Sequence, residues 1–201
     1  MAKAISNVID LPLGLVLAGG ESQRMGSSKP LLELDGLPLW QRSAQLLAPF
    51  CSQVFISCRA DQQQLFLPDY PVIIDQWPET GPMGALRSAW VAQPKQAWFV
   101  LACDLPLLGM DSLKRLLAER QPKTMATAFQ NPEDQLPEPL AALWEAEGLK
   151  YLDAAAQQGR RSPRKVLMSH PHHLVSPDRP EELLNANTPA QWEEIQRLVQ
   201  S

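Results

Sequence analysis

Cysteine and histidine are scarce in this 201-residue chain, with three of each. The cysteines, Cys51, Cys58 and Cys103, are odd in number and never spaced as CxxC, which argues against a disulfide framework or a zinc ribbon and leaves buried free thiols. Long hydrophobic runs are missing: stretches such as WFVLA, Trp98 to Ala102, are strand length, far short of the roughly 20 residues of a membrane span. The opening residues, MAKAISNVIDLP, lack the continuous apolar stretch and cleavage pattern of a secretory signal, so a cytoplasmic protein with no membrane partner is expected. Positive charge is not in excess either. A formal net charge of -4 excludes the overall field with which a protein grips nucleic acid, so any polyanion must be met locally. Without that field, the six tryptophans read as core or interface packing, not as a stacking platform.

What is present is the composition of a folded protein: 45% hydrophobic and 20% charged residues, in a length that suits one domain over 1–201. Short apolar runs bounded by turn residues read as buried strands at Leu13–Ala18, Val54–Ser57, Val72–Ile74 and Ala97–Ala102. Helix-like stretches lie between and after them, at Pro38–Phe50, Gly84–Val91 and Met110–Arg120, the last with Asp111 and Ser112 near its start to meet free amides. Strands alternating with helices predict parallel pairing with right-handed crossovers, hence a three-layer α/β/α, Rossmann-like fold around a mostly parallel central sheet. After Gln121 the rhythm is less regular. Strands are expected at Thr124–Phe129 and Pro139–Trp144 and helices at Ala146–Gln158 and Gln191–Val199, with many of the 19 prolines shaping the loops between apolar runs.

One stretch carries chemistry. In LAGGESQRMGSSK, Leu17 to Lys29, a strand ends at Gly19 and Gly20, and the loop beyond carries Arg24 and Lys29. Glycines let the backbone take left-handed angles and approach a ligand closely, and a strand-to-helix loop turns its amides outward. Arg24 adds a planar fork and Lys29 a point cation, both suited to a polyphosphate. The plain alternative is a tight turn with two surface cations; the combination of Gly pair, Arg, Met-Gly and Lys favours phosphate. The pattern is neither GxGxxG nor GxxxxGK[ST], which removes the main support for a dinucleotide oxidoreductase or a P-loop protein.

The same stretch closely resembles the signature of nucleotidyltransferases that activate sugars, isoprenoid precursors and molybdopterin. Four further segments follow in order: Asp75, then after a gap GPMGALRSAW with Gly81 and Gly84; CDLP with Asp104; EPLAALW with Pro139 and Leu140; and LLNANTP with Asn185 and Asn187. Together they resemble the molybdenum cofactor guanylyltransferases over nearly the whole chain. The resemblance implies transfer of GMP from GTP to the phosphate of molybdopterin, with release of pyrophosphate. It assigns nucleotide binding to Leu17, Ala18, Gly19, Gly20, Lys29, Asp75, Gly81, Gly84 and Asp104, catalysis to Arg24, Lys29 and Asp104, and Mg²⁺ to Asp104. It assigns the acceptor to Pro139, Leu140, Asn185 and Asn187, so that the N-terminal part holds nucleotide and the C-terminal part the acceptor. Its partners are GTP and molybdopterin, with transient contact to a molybdenum-insertion or cofactor-delivery protein admitted. There is one departure: SCRAD, Ser57 to Asp61, stands where the family commonly has a Ser-Ala-Asn-Arg stretch whose Asn helps bind the nucleotide. No base-binding role is carried over there, leaving Arg59 as a substitute or the contact absent.

The chemistry implied brings two anions together, and an answer built from cations and positioning needs no nucleophilic side chain. Asp104 alone is equally a turn aspartate before Pro106; the Gly loop favours metal. Alternatives remain open: a cytidylyl-transferring sister enzyme, another sugar- or alcohol-phosphate nucleotidyltransferase, or a non-catalytic nucleotide-binding regulator. LAGG, against the LAAG common in cytidylyl enzymes, favours guanine, and alanine at Gly19 or Gly20 is expected to narrow that preference by clashing with the larger base. Arg160, Arg161, Arg164 and Lys165 form a basic patch that is either a phosphate or partner site or a solvated helix flank. His170, His172 and His173 read as a plain surface loop.

Overall fold

In the computed structural model, which describes residues 11–19, 29–66, 68 and 70–200 with only the backbone at Lys29, side-chain alternation builds the layers. β1 (Leu13–Leu17) sends Leu13 and Leu15 to one face and Val16 to the other. β6 (Trp98–Ala102) does the same with Trp98 and Val100 against Phe99 and Leu101. Strands buried on both faces need helices on both. One cover consists of α1 (Leu39–Leu47), α3 (Met110–Ala118) and α6 (Pro189–Val199), which contribute Leu39, Ala44, Leu113, Leu116 and Ile195. The opposite cover consists of α2 (Pro82–Ala92), α4 (Ala146–Gln157) and α5 (Pro163–Met168), with Met83, Leu86, Leu149, Leu152 and Val166.

β2 (Glu33–Leu34) and β3 (Leu37–Pro38) make a small hairpin, and β4 (Val54–Cys58), β5 (Val72–Ile74), β7 (Ala126–Gln130), β8 (Pro137–Trp144) and β9 (His173–Val175) complete the strands. The main sheet has seven strands in the order β5-β4-β1-β6-β8-β7-β9. Only β8 runs against its neighbours, so the sheet is mostly parallel, as the alternation of strands and helices predicts. The crossovers leave β1 in opposite directions: α1 leads to β4 on one side, and α2 brings the chain from β5 to β6 on the other. That divergence opens a crevice at the strand carboxyl ends, where α/β sheets take their ligands.

Several local boundaries differ from the sequence expectation, each for a visible reason. Thr124 closes a turn through its amide and hydroxyl to the Gln121 carbonyl (2.9 and 2.8 Å), so β7 starts two residues later, at Ala126. The hairpin escapes the apolar pattern because each strand has two residues; its signal is Asp35-Gly36, both at positive φ (53° and 76°), the pair a tight type I′ turn requires. The histidine segment is not wholly loop: His173 opens β9 and pairs with Thr127 of β7. The basic segment folds as α5, capped by Ser162, whose hydroxyl accepts from the Lys165 amide at 3.3 Å. Arg164 there is tied to Asp134 and Glu138 at 2.7 and 2.8 Å, while Arg160, Arg161 and Lys165 are exposed.

Trp40, Trp98 and Trp144 lie in the core, the last donating from Nε1 to the Pro139 carbonyl at 2.9 Å. All three cysteines are buried free thiols, and burial pushes Cys51 up to about 12 and Cys58 up to about 11. No helix among the described residues is long and apolar enough to cross a membrane.

Candidate active site

A cavity of about 630 Å³ opens across the carboxyl ends of β1, β4, β5 and β6. Backbone hydrogen bonds continue past the strand ends and hold its floor: Ala18 donates to the Ser57 carbonyl (2.9 Å), Cys103 to that of Leu17 (3.2 Å) and Asp75 to that of Cys58 (2.8 Å). Leu17, Gly19, Asp75, Gly81, Asp104 and Leu140 line the cavity, bringing four distant motifs to one place. β8 takes part because it is antiparallel, so its beginning, not its end, reaches this edge of the sheet. Gly20 and Arg24 lie outside the described residues, and the backbone of Lys29 begins a single 3-10 turn, Lys29–Leu31, whose Pro30 also lines the cavity.

The glycines act in different ways. Gly81, at φ 63°, needs its freedom to end the Pro78–Thr80 turn and start α2 with Pro82 in its first turn. Gly84 stands behind the cavity wall: a methyl there would come within 2.7 Å of Asp75 Oδ1 and 2.8 Å of Thr80 Oγ1, so it lets the turn after β5 lie flat on α2. Gly19 is not among the residues with positive φ, which corrects the expectation of a left-handed backbone there. Its lack of Cβ serves close approach instead, because a methyl would lie 3.1 Å from Cys58 Cα and 3.3 Å from the Arg59 nitrogen. Alanine at Gly19 therefore presses on the end of β4.

Asp75 is fastened by two donors, the Trp77 amide at 2.9 Å and the Ser88 hydroxyl at 3.4 Å. Burial pushes its carboxyl above the usual range; the two hydrogen bonds pull it back and Glu79 pushes it further up. A carboxylate whose folded pKa is raised is penalised once ionised, so its contribution to stability is most favourable below the ordinary value of 3.8 and declines as pH rises through the raised value. Asp75→Asn keeps an acceptor oxygen for both donors and removes the desolvated charge. We expect its melting temperature at pH 7 to equal or exceed that of the native protein, with the gap closing as pH falls towards 3.8. A variant clearly less stable at pH 7, melted over a pH series, would show that the charge itself is needed by the fold.

On the other side, Asp104 lies just beyond β6, and its backbone carbonyl accepts from the Ala186 amide at 2.8 Å. That bond draws the Asn185 to Asn187 segment to the cavity rim, although neither asparagine lines the cavity. Thr188 then caps α6, accepting from the Gln191 amide at 3.3 Å. Pro139 is likewise set back, its carbonyl held by Trp144, and Ala18 and Gly84 support the wall from behind. Glu138 is the carboxylate that motif reading left without a role. Burial raises its pKa; Arg164 and the Leu140 amide lower it, and the charge of Asp104 raises it again, which places the two acids in electrostatic reach. Ser57, Glu79 and Pro82 also line the cavity. Pro82 belongs to the GPMG segment and Ser57 opens SCRAD, whereas Glu79 lies in the gap between Asp75 and Gly81.

The chain that carries this cavity has close parallels among known proteins. The MobA-like NTP transferase domain matches residues 14–174. A molybdenum cofactor guanylyltransferase of Xanthomonas euvesicatoria is 35% identical over 90% of this chain and 93% of its own. A molybdenum cofactor biosynthesis bifunctional protein of Synechocystis is 33% identical over 94% of this chain, which spans only 55% of that longer protein. Among solved structures, molybdopterin-guanine dinucleotide biosynthesis protein A of Archaeoglobus fulgidus superposes with a TM-score of 0.76 at 21% identity, over 94% of this chain and 98% of its own. A nucleotidyl transferase of Methanothermobacter reaches 0.77 at 17% identity, over 96% and 100%. The structural likenesses, at such identities, speak to fold; the match over 14–174 and the sequence relatives go further, and by them this chain belongs to the MobA-like NTP transferase family.

Proposed function

We propose that the chain transfers GMP from GTP to the phosphate of molybdopterin, forming the guanine dinucleotide and releasing pyrophosphate. The observation that carries the reading is the meeting of Asp75, Gly81, Asp104 and Leu140 in one strand-end cavity, with the Asn185 to Asn187 segment bonded to Asp104. The relatives named for guanylyl transfer support the choice of substrates. The domain proposed for this activity is 1–201, with nucleotide on the β1, β4 and β5 side and acceptor on the β8 and α6 side. The partners are GTP and molybdopterin, with any cofactor-delivery protein meeting the chain transiently.

In this reading, an oxygen of the acceptor's phosphate monoester attacks the α-phosphorus of GTP, a new P–O bond forms, and the bond to the β-phosphate oxygen breaks. Lys29 and Arg24 neutralise charge on the β- and γ-phosphates as pyrophosphate departs, while Leu17, Ala18, Gly19 and Gly20 hold the nucleotide against the end of β1. Asp75 and the Gly81 to Gly84 turn fix its other side. The acceptor lies against Leu140, with Pro139 set behind it and Asn185 and Asn187 at the cavity rim. A hard divalent cation fits beside Asp104. Among the described residues there is no group of three or more His, Cys, Asp or Glu able to hold a metal alone, so a cation on Asp104 would complete its shell with water and phosphate oxygens, the habit of Mg²⁺. When bound there, Mg²⁺ supplies charge neutralisation and alignment of the phosphates. The other residues need only position the two substrates.

The test is product analysis with molybdopterin, Mg²⁺ and either GTP or CTP. The guanine dinucleotide, with one pyrophosphate per transfer, is the expected result. Faster formation of the cytosine dinucleotide would overturn the reading, and nucleotide binding with no turnover would make the chain a regulator.

A further inference from the structure

Glu182 is a buried carboxylate that the proposed chemistry does not use. It belongs to the 3-10 turn Pro180–Leu183, between β9 and α6, and lies against the start of α3. Its Oε2 accepts from the Ser112 hydroxyl, and its Oε1 would stand 3.1 Å from a methyl at Gly109, the residue that opens α3. Ser112, itself buried, accepts in turn from the Asp178 amide at 2.8 Å. The amino end of a helix suits a carboxylate, but one taken out of water costs free energy unless it is hydrogen-bonded. Arg179, 3.6 Å away, is exposed, so the buried partner of Glu182 is Ser112.

This contact is one of a series. Arg115 pairs with Asp178 and donates to the Ser176 carbonyl at 3.1 Å, and the Ala186 amide donates to the Asp104 carbonyl at 2.8 Å. The segment from Ser176 to Ala186 is therefore laid along the stretch from Asp104 to Arg115. One side of that seam carries the aspartate proposed to hold the cation; the other leads into Asn185 and Asn187 at the cavity rim. The Arg115 pair is partly open to solvent, whereas the Glu182 to Ser112 bond is buried, where a hydrogen bond is not readily exchanged for water. We infer that Glu182, seated on Ser112 at the start of α3, is a positioning residue for the acceptor: it sets the Asn185 to Asn187 segment in register with Asp104. It does not line the cavity and acts through the backbone. Only three residues separate it from Asn185, so a shift of the turn reaches the rim with little chain to absorb it, and a displacement of about 1 Å can cost on the order of 10²-fold in rate. The role rests on the guanylyl-transfer reading and adds what orients its acceptor side.

The experiment compares the native chain with Glu182→Gln, Ser112→Ala and Gly109→Ala. Glu182→Gln keeps the shape and removes the charge; Gly109→Ala keeps the carboxylate and displaces it, since the added methyl meets Oε1 and the backbone there, at φ -100°, admits alanine. The readouts are KM for molybdopterin at saturating GTP and Mg²⁺, GTP affinity by calorimetry, and melting temperature. We expect KM for molybdopterin to rise roughly tenfold in Glu182→Gln, the scale of losing one charged hydrogen bond, and several-fold in Gly109→Ala, with GTP affinity unchanged in both. Ser112→Ala should raise KM alike and add little on top of Glu182→Gln, because both remove the same link. Unchanged KM in the folded variants, whatever their melting temperature, would overturn the positioning role. Loss of GTP affinity in step with the rise in KM would overturn it too, by making the contact a general brace of the fold. Should Glu182→Gln fail to fold, Gly109→Ala decides by the same criteria. A native chain that makes no dinucleotide from GTP and molybdopterin would instead bring down the parent reading, and the role of Glu182 with it.

Discussion

Asp104→Asn is expected to fold normally and to turn over about 10²- to 10³-fold more slowly, the scale of losing one preorganised electrostatic contact. The bond from the Ala186 amide is accepted by the backbone carbonyl, which the substitution does not touch. Asparagine has the size of aspartate but lacks the anionic oxygen that a hard cation prefers. The Mg²⁺ concentration needed for half-maximal rate should therefore rise in the variant, and partial rescue by Mn²⁺, which accepts a neutral oxygen more readily, would locate the defect at the metal. Native rates at ordinary Mg²⁺ would move the cation elsewhere. Glu138, whose carboxyl senses Asp104, is then the residue to substitute next.

Lys29→Ala is expected to lose roughly 10² in turnover with little change in melting temperature, because in the proposed mechanism this cation acts on the departing pyrophosphate in the transition state and not on the fold. The backbone argument is similar. Lys29 opens the Lys29–Leu31 turn, and the turn is fixed by Pro30, which is buried and has a preset φ whatever residue precedes it. The loss should fall on kcat more than on KM, since charge on the leaving group grows after binding. A folded variant with near-native turnover would remove Lys29 from the site.

The sequence by itself determined the layer order and the motifs. Apolar runs such as Leu13 to Leu17 and Trp98 to Ala102, spaced by helical stretches, can be buried only in a sheet covered on both faces, and that logic holds for any chain with the pattern. The glycines, Asp75, Asp104 and the Asn-x-Asn-Thr-Pro segment were legible because each lies in a short contiguous signature. Only the tertiary structure decided which of these residues meet and how. The antiparallel turn of β8 brings Leu140 and Glu138 to the edge where β6 ends, a result of strand direction that no local pattern encodes. Ser57 and Arg59 line the cavity because β4 sits beside β1, with Gly19 packed on the Cys58 and Arg59 backbone; SCRAD in the sequence left open whether Arg59 takes part or the contact is absent. The basic segment shows the converse. Arg164 reads in the sequence as part of a basic patch or a solvated helix flank, but folding sets it between the exposed Asp134 and Glu138, whose sheltered carboxylate is tolerable only with a cation beside it.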